Sequence, residues 1–498
     1  MQQWRRSPGP TLAVLAAAVV GSVLAAHAWQ AVITGSYLDV VTGVWLTLAD
    51  DVAHGVFYRG LIGPDGYGGT RYFPLFFSSI GALVRLGAPP VAAGFAVSLA
   101  SGVLLALGLR RFLLRLGLPE HLAAGLGALS LAPQFVQQTL LAIRSDVLAA
   151  ALVVWGLAWT LPAFEHERPQ RGALRAAALC FVLAAATKAT TLYAPGAAVL
   201  ALAWSGRARA SARLGATVGI GVALMLALVS FVSDGRAIES WQASALAGSS
   251  LAEMARNLVP ALVSEALKPS RAFTAVFSVA AAAWLALWRA PSAALPLVLL
   301  PAAFGATSVV LSSPGTIYTN QLVEVYAVCL LLVGWALARF PRWRTAGAAF
   351  LLVVALGSAA SCLKPLWDRQ LRERTWRLHG EREALVEALR SSPGPVLSES
   401  PEVLIMAGQR PLVMDPFSLR VVTRRRADVL ADLASRLDGR VFTHVILTVD
   451  PESPRGRGWY ANSNLGWPVV SRILANYEPA GVTAGLRLYA PRARAPEP

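Results

Sequence analysis

Apolar runs of about 20 residues recur from residue 11 to residue 361 of this chain, separated by short polar links. That length sets the fold class, because about 20 residues at ~1.5 Å rise are needed to cross a hydrocarbon layer ~30 Å thick. Within such a layer the backbone must satisfy its own hydrogen bonds, which favours helices. Composition agrees: 55% of the residues are hydrophobic and 14% are charged, whereas a water-soluble domain carries about a quarter. Runs of adequate length fall at 11–33, 90–109, 121–142, 146–164, 172–187, 189–204, 214–233, 273–288, 292–312, 320–339 and 344–361, about eleven spans. The expected fold is mainly α: a polytopic membrane domain over residues 1–361, followed by a soluble α/β domain over residues 362–498.

The arginines test that count independently, since cytoplasmic links should be basic. Arg5 and Arg6 precede the first run, which is too long for a signal-peptide core and is read as a retained span. Every second link thereafter carries charge: Arg110, Arg111 and Arg115, then Arg168, Arg171 and Arg175, then Arg207, Arg209 and Arg213, then Arg289, then Arg339, Arg342 and Arg344. The N-terminus is therefore expected in the cytoplasm and the C-terminal domain outside, in the inner membrane of a bacterial cell. The alternation requires residues 73–86 to be an interfacial or re-entrant helix, as their shortness favours. The net charge of +16 is distributed among these links with no interleaved stacking aromatics, so nucleic acid is not an expected partner. Cys180, Cys329 and Cys362 form neither a disulfide framework nor a thiolate metal set.

Two outer links are long, 34–90 and 233–272, and long links between packed spans are where sites are built. From residue 362 the composition turns charged and mixed. A basic and acidic amphipathic helix over 366–389 leads to strand-like runs at 395–397, 443–449 and 485–490, with helices at 427–437 and 468–476.

Ionisable groups at the ends of apolar spans are costly and mark function by default. Asp146 opens a span in IRSDVLAAALVVWGLA, Lys188 lies between two in AATKATTLYAP, and Arg71 precedes the re-entrant stretch in GGTRYFPLFF. With Asp39, Asp50, Asp51 and Arg144, all fall at the outer face in the derived topology. Bland readings compete: Arg144 and Asp146 as a helix-end ion pair with Asp146 capping its helix, Lys188 snorkelling to headgroups, Asp50 and Asp51 as a solvated helix face. Glu399 and Asp415 of the outer domain read as loop and cap residues more readily than as a binding site. His54 beside Asp50 and Asp51 is the one weak candidate for a divalent metal, and no metal ligand set is assigned.

A carboxylate beside cations at the outer surface suits transfer of a group from a phosphorylated lipid: the carboxylate takes the acceptor's proton and the cations hold the leaving phosphate. The stretch YLDVVTGVWLTLADDVAHGVFYRG followed by GGTRYFPLFF resembles the GT-C glycosyltransferases. In particular it resembles bacterial members similar to the protein O-mannosyltransferases of glycosyltransferase family 39 and to the lipid A aminoarabinose transferase. The segments RSDVLAAALVVWGLA and TKATTLYAP resemble the family's later Asp-bearing and Lys-bearing helix starts. The stretch VLSESPEVLIMAGQRPLVMDPF, ending in GLRLYAP, is similar to outer domains attached to some members. The resemblance implies an inverting transferase using a polyprenyl-phosphate sugar donor and a lipid, glycan or protein acceptor. Asp39 would be the catalytic base, with Arg71, Tyr72, Arg144, Asp146 and Lys188 contacting substrate. The chain departs from the family where Val40 follows Asp39 in place of Glu, and where Arg71-Tyr72-Phe73-Pro74 replaces Lys-Pro-Pro. A flippase of lipid-linked saccharides would instead spread charge across the midplane and show an internal repeat; neither is evident.

Overall fold

The structure is a computed structural model that describes residues 8–165, 171–245, 252, 271–288, 292, 294–311, 319–392 and 394–493. Helices occupy each of the expected apolar segments. The first are α1 (Gly9–Thr34), α2 (Val40–Ala53), α3 (Pro74–Arg85), α4 (Pro90–Arg115), α5 (Glu120–Leu129), α6 (Gln134–Leu141) and α7 (Asp146–Thr160). Further along come Arg171–Thr187, Tyr193–Trp204, Ala208–Val232, Arg271–Trp288, Pro296–Leu311, Leu322–Arg339 and Arg344–Cys362. Among the described residues six helices are long and apolar enough to cross a membrane, and four shorter apolar ones accompany them. The surface identifies the solvent: on Ala208–Val232, Leu224 is 65% and Phe231 82% exposed. Water would penalise each such side chain by about 1.5–3 kcal/mol, and lipid does not. The chain is a multi-pass membrane protein.

One expected span is corrected. Residues 121–142 are two short helices, α5 and α6, because Pro133 lacks an N–H and stops the first ladder. The break would orphan carbonyls in a dry interior. Gln137 supplies the remedy: its amide donates to the Leu131 and Ala132 carbonyls at 3.1 and 3.4 Å. Its oxygen then accepts from Nδ1 of buried His27 at 2.8 Å, which leaves Nε2 to accept from the Tyr37 hydroxyl at 2.6 Å. A polar residue that weakens this segment as a span, Gln137, is the one that repairs its break.

The segment expected to be re-entrant is the 12-residue helix α3, which buries Phe76, Phe77 and Ile80 against α2. Of the second long link, Arg236–Ala243 is helical, while residues 246–251 and 253–270 lie outside the described residues.

After Cys362 the helix Arg369–Arg390, N-capped by Asp368, leads into a sheet of strand order β1-β2-β4-β3: β1 Val396–Ser398, β2 His444–Leu447, β3 Tyr477–Thr483, β4 Leu486–Pro491. β1 pairs parallel to β2 (Leu397 with Val445), β2 antiparallel to β4 (Val445 with Tyr489), and β3 antiparallel to β4. This is the α/β domain expected, with one strand more: in β3, Pro479 and Gly481 flank a register shift, and both residues argue against a strand in the sequence. Helices Pro401–Met406, Pro416–Arg425, Ala427–Asp438, Pro454–Asn462 and Trp467–Asn476 cover it.

The two domains interlock through the loop after α2. The Tyr67 N–H donates to the Leu412 carbonyl at 2.8 Å and its carbonyl accepts from the Met414 N–H at 3.1 Å. Asp51, expected on a solvated face, is 1% exposed. Its carboxylate accepts from Arg59 Nε at 2.6 Å and from Arg410 Nη2 of the C-terminal domain at 2.8 Å. Two guanidinium groups compensate the buried charge, as burial demands. Burial of a charged face of α2 against another domain carries no signature in the sequence of α2 itself.

Candidate active site

α2 begins where Asp39 leaves the helical conformation, and the Asp39 carboxylate accepts from the Thr42 N–H at 2.9 Å. Thr42 returns the bond, accepting from the Asp39 N–H at 3.2 Å while its hydroxyl donates to the Ala142 carbonyl at 2.8 Å. This capping arrangement ties the start of α2 to the link between α6 and α7. From that link Arg144 reaches back, and its Nη2 lies 2.5 Å from Asp39 Oδ2. Asp39 remains 44% exposed at its side chain, so the carboxylate is oriented on one edge and open on another.

Arg144 therefore pairs with Asp39, not with Asp146. Burial disfavours its charge, but Asp39, Asp146 and the Tyr72 phenol outweigh that and raise its pKa. Asp146 does not cap α7 either: it is the first helical residue and no side chain bonds the cap position. Its oxygens take Lys188 Nζ at 3.0 Å and the Asn320 amide at 3.1 Å. Lys188 does not snorkel; Glu324, buried in Leu322–Arg339, accepts from it at 2.9 Å.

Arg71 stands on the other side of Tyr72. Its guanidinium lies 4.5 Å from the centre of the Phe417 ring and 5.8 Å from that of Tyr72. Arg420 approaches the same Phe417 ring at 5.1 Å. Tyr72 packs its ring on Trp45 at 4.2 Å, and its carbonyl accepts from the Tyr58 hydroxyl at 2.8 Å and the Trp241 indole at 3.1 Å, which fixes the backbone that presents Arg71. Burial, more than any neighbour, pushes the Tyr72 phenol above its usual range.

Arg144 is thus the hub: Asp39 is on it, Asp146 and Tyr72 are within its electrostatic reach, and through them Lys188 and Arg71 join one polar cluster. The alternative acids are otherwise engaged. Asp51 is locked between arginines, and Asp50 pairs with exposed His54 at 3.5 Å. Glu324, Asn320 and Arg420 are residues of this cluster that sequence reasoning misses. Glu324 was within reach of the rule that selected Asp146, an acid near the end of an apolar span; the others required the fold. In the C-terminal domain Asp415 is the cap expected, accepting from the Ser418 N–H at 3.0 Å. Glu399 is buried, with Tyr460 at 2.7 Å, Asn464 at 3.0 Å, Trp459 at 3.2 Å and the Thr448 N–H at 2.7 Å all donating to it, a structural pin.

Among the described residues no group of three or more His, Cys, Asp or Glu could hold a metal ion. The cluster's carboxylates face arginine, lysine and amide donors, a set that does not fit a divalent cation.

No family model matches the sequence, and no curated protein matches it. Solved structures do match. The chain is similar to ArnT from Cupriavidus metallidurans bound to undecaprenyl phosphate, with TM-score 0.60 and 14% identity over 96% of this chain and 99% of that one. It is similar to the Archaeoglobus fulgidus oligosaccharyltransferase in complex with Zn and sulfate, with TM-score 0.57 and 12% identity over 96% and 73% of the two chains. It is similar too to the oligosaccharyltransferase AglB of that organism in complex with an inhibitory peptide and a dolichol-phosphate, with TM-score 0.55 and 11% identity over 95% and 74%. The fold of this protein is that of the GT-C membrane glycosyltransferases.

Proposed function

We propose that this protein is an inverting membrane glycosyltransferase that moves a sugar from a polyprenyl-phosphate donor to a lipid, glycan or protein acceptor at the extracytoplasmic face of a bacterial inner membrane. The observation that carries the reading is the half-exposed Asp39 carboxylate, anchored by Thr42 and Arg144, in one polar cluster with Arg71. Asp39 takes the proton of the acceptor hydroxyl as that oxygen attacks the anomeric carbon. The bond from that carbon to the phosphate oxygen breaks on the opposite face, and the electron pair leaves with the polyprenyl phosphate. Arg71 holds the phosphate as its charge grows, and Lys188, with two of its three N–H donors given to Asp146 and Glu324, offers the third. Asp146 and Arg144 orient these groups. The lipid phosphates bound by ArnT and AglB support this choice of donor.

The test is incubation of the purified protein with radiolabelled polyprenyl-phosphate sugars and envelope acceptors, following label transfer and release of polyprenyl phosphate. Asp39→Asn should leave expression and melting intact and reduce transfer by about 10²–10⁴-fold. Full activity in that variant excludes Asp39 as the base.

A further inference from the structure

The outer domain inserts a carboxylic acid at the root of Asp39. Gly43 lies one turn into α2, and its N–H donates to the Asp39 carbonyl at 2.9 Å. A Cβ added at Gly43 would stand 2.4 Å from the backbone nitrogen of Glu402, 2.7 Å from Pro401 Cγ and 2.9 Å from Glu402 Oε2. The missing side chain is what lets Pro401–Met406 lie on this turn. Glu402 is 4% exposed, and its Oε2 has no hydrogen-bond partner. Two charged groups act on it: Asp39 from α2 and Arg382 from the Arg369–Arg390 helix, which in turn feels Glu383. Arg382 donates to the Gly35 carbonyl and acts on Glu402 through its charge. A buried carboxyl oxygen without a donor is costly, and an apolar or amide side chain would avoid the cost.

We propose that Glu402 is a positioning residue for sugar transfer, contributed by the outer domain, whose ionisation sets the field at Asp39 and hence the strength of the general base. The inference rests on the reading of Asp39 as base. Burial, opposed by a hydrogen bond from Glu402's own backbone and by the pull of Arg382 and aided by the like charge of Asp39, pushes Glu402 from an ordinary 4.5 up to about 7. The carboxyl is neutral below about pH 7 and charged above it. A negative charge placed beside the base in a poorly hydrated contact favours uptake of the acceptor's proton, and at intermediate Brønsted sensitivity the gain is roughly threefold in rate. The sign for docking is opposite. A group whose pKa is raised in the docked state contributes stability that is present below its ordinary pKa and lost as pH rises through about 7.

The experiment is kcat/KM for transfer of radiolabelled sugar from pH 5.5 to 8.5 in the full-length protein, with Glu402→Gln and Glu402→Asp. Wild type should gain roughly threefold through a limb centred near pH 7. Glu402→Gln, which mimics the neutral acid, should match wild type at pH 5.5 and lack the limb; Glu402→Asp should restore it. A wild-type profile flat across this range overturns the proposal with no variant needed. So does a Glu402→Gln profile that keeps the limb, or one lowered equally at every pH, which is the mark of packing alone. Full activity of Asp39→Asn is a separate outcome that sinks the general-base reading itself.

Discussion

Lys188 illustrates how a charge survives at the edge of a dry helix bundle. Its ammonium group sits between Asp146 and Glu324, so the three groups carry one net negative charge, with Arg144 nearby to balance it. Removing one partner of a buried pair costs about 3–5 kcal/mol, because what remains is an uncompensated charge. Lys188→Met should therefore lower the Tm of the detergent-solubilised protein strongly, whereas Arg71→Ala, at an exposed residue, should leave the Tm unchanged. Arg71→Ala should instead reduce kcat/KM for transfer by about 10²–10³-fold if the guanidinium stabilises the leaving phosphate. The contrast separates a cation that also holds the bundle together from one that serves substrate alone. Much of this cluster is legible in sequence, since Asp39, Arg71, Arg144, Asp146 and Lys188 stand out by their charge against apolar neighbours. Their partners are not legible: the rule that selects Asp146 and Lys188 does not say that they meet, and it pairs Arg144 with the wrong aspartate.

At the scale of elements, backbone geometry decides where the two domains touch. Gly43 permits a contact that any Cβ would close, so Gly43→Ala should push Pro401–Met406 off α2. The expected outcome is faster proteolysis of the outer domain and a lower Tm in the full-length protein. The broken pair α5 and α6 makes a second case. Gln137→Leu removes the donor for the Leu131 and Ala132 carbonyls and the partner of His27, and should cost about 1–3 kcal/mol per unsatisfied group, measured as a loss of Tm. Helix existence followed from apolar run length and the break from Pro133, but the repair of the break is a side chain bonding to backbone several residues away. β3 was missed for a related reason, since a strand flanking a bulge at Pro479 and Gly481 depends on its neighbour β4 rather than on its own propensity.

For the whole molecule, the apolar surface of Ala208–Val232 and the alternating arginines bear on the same question, which is how the chain lies in a bilayer. Reporter fusions at Arg171 and at the C-terminus should report opposite compartments, the first cytoplasmic; agreement between them would reject the proposed topology. The sequence by itself determined that this is a helical membrane chain with a mixed α/β domain at its C-terminal end, because hydrocarbon thickness and the desolvation of charge act on every residue locally and leave their period and sign in the order of amino acids. Only the tertiary structure decided which acid stays open. Asp39 is held but exposed, Asp51 is buried between two arginines, and Glu402 arrives from residues more than three hundred positions away. Such pairings depend on how helices pack, and packing is fixed by shape complementarity across the fold rather than by any pattern within one segment.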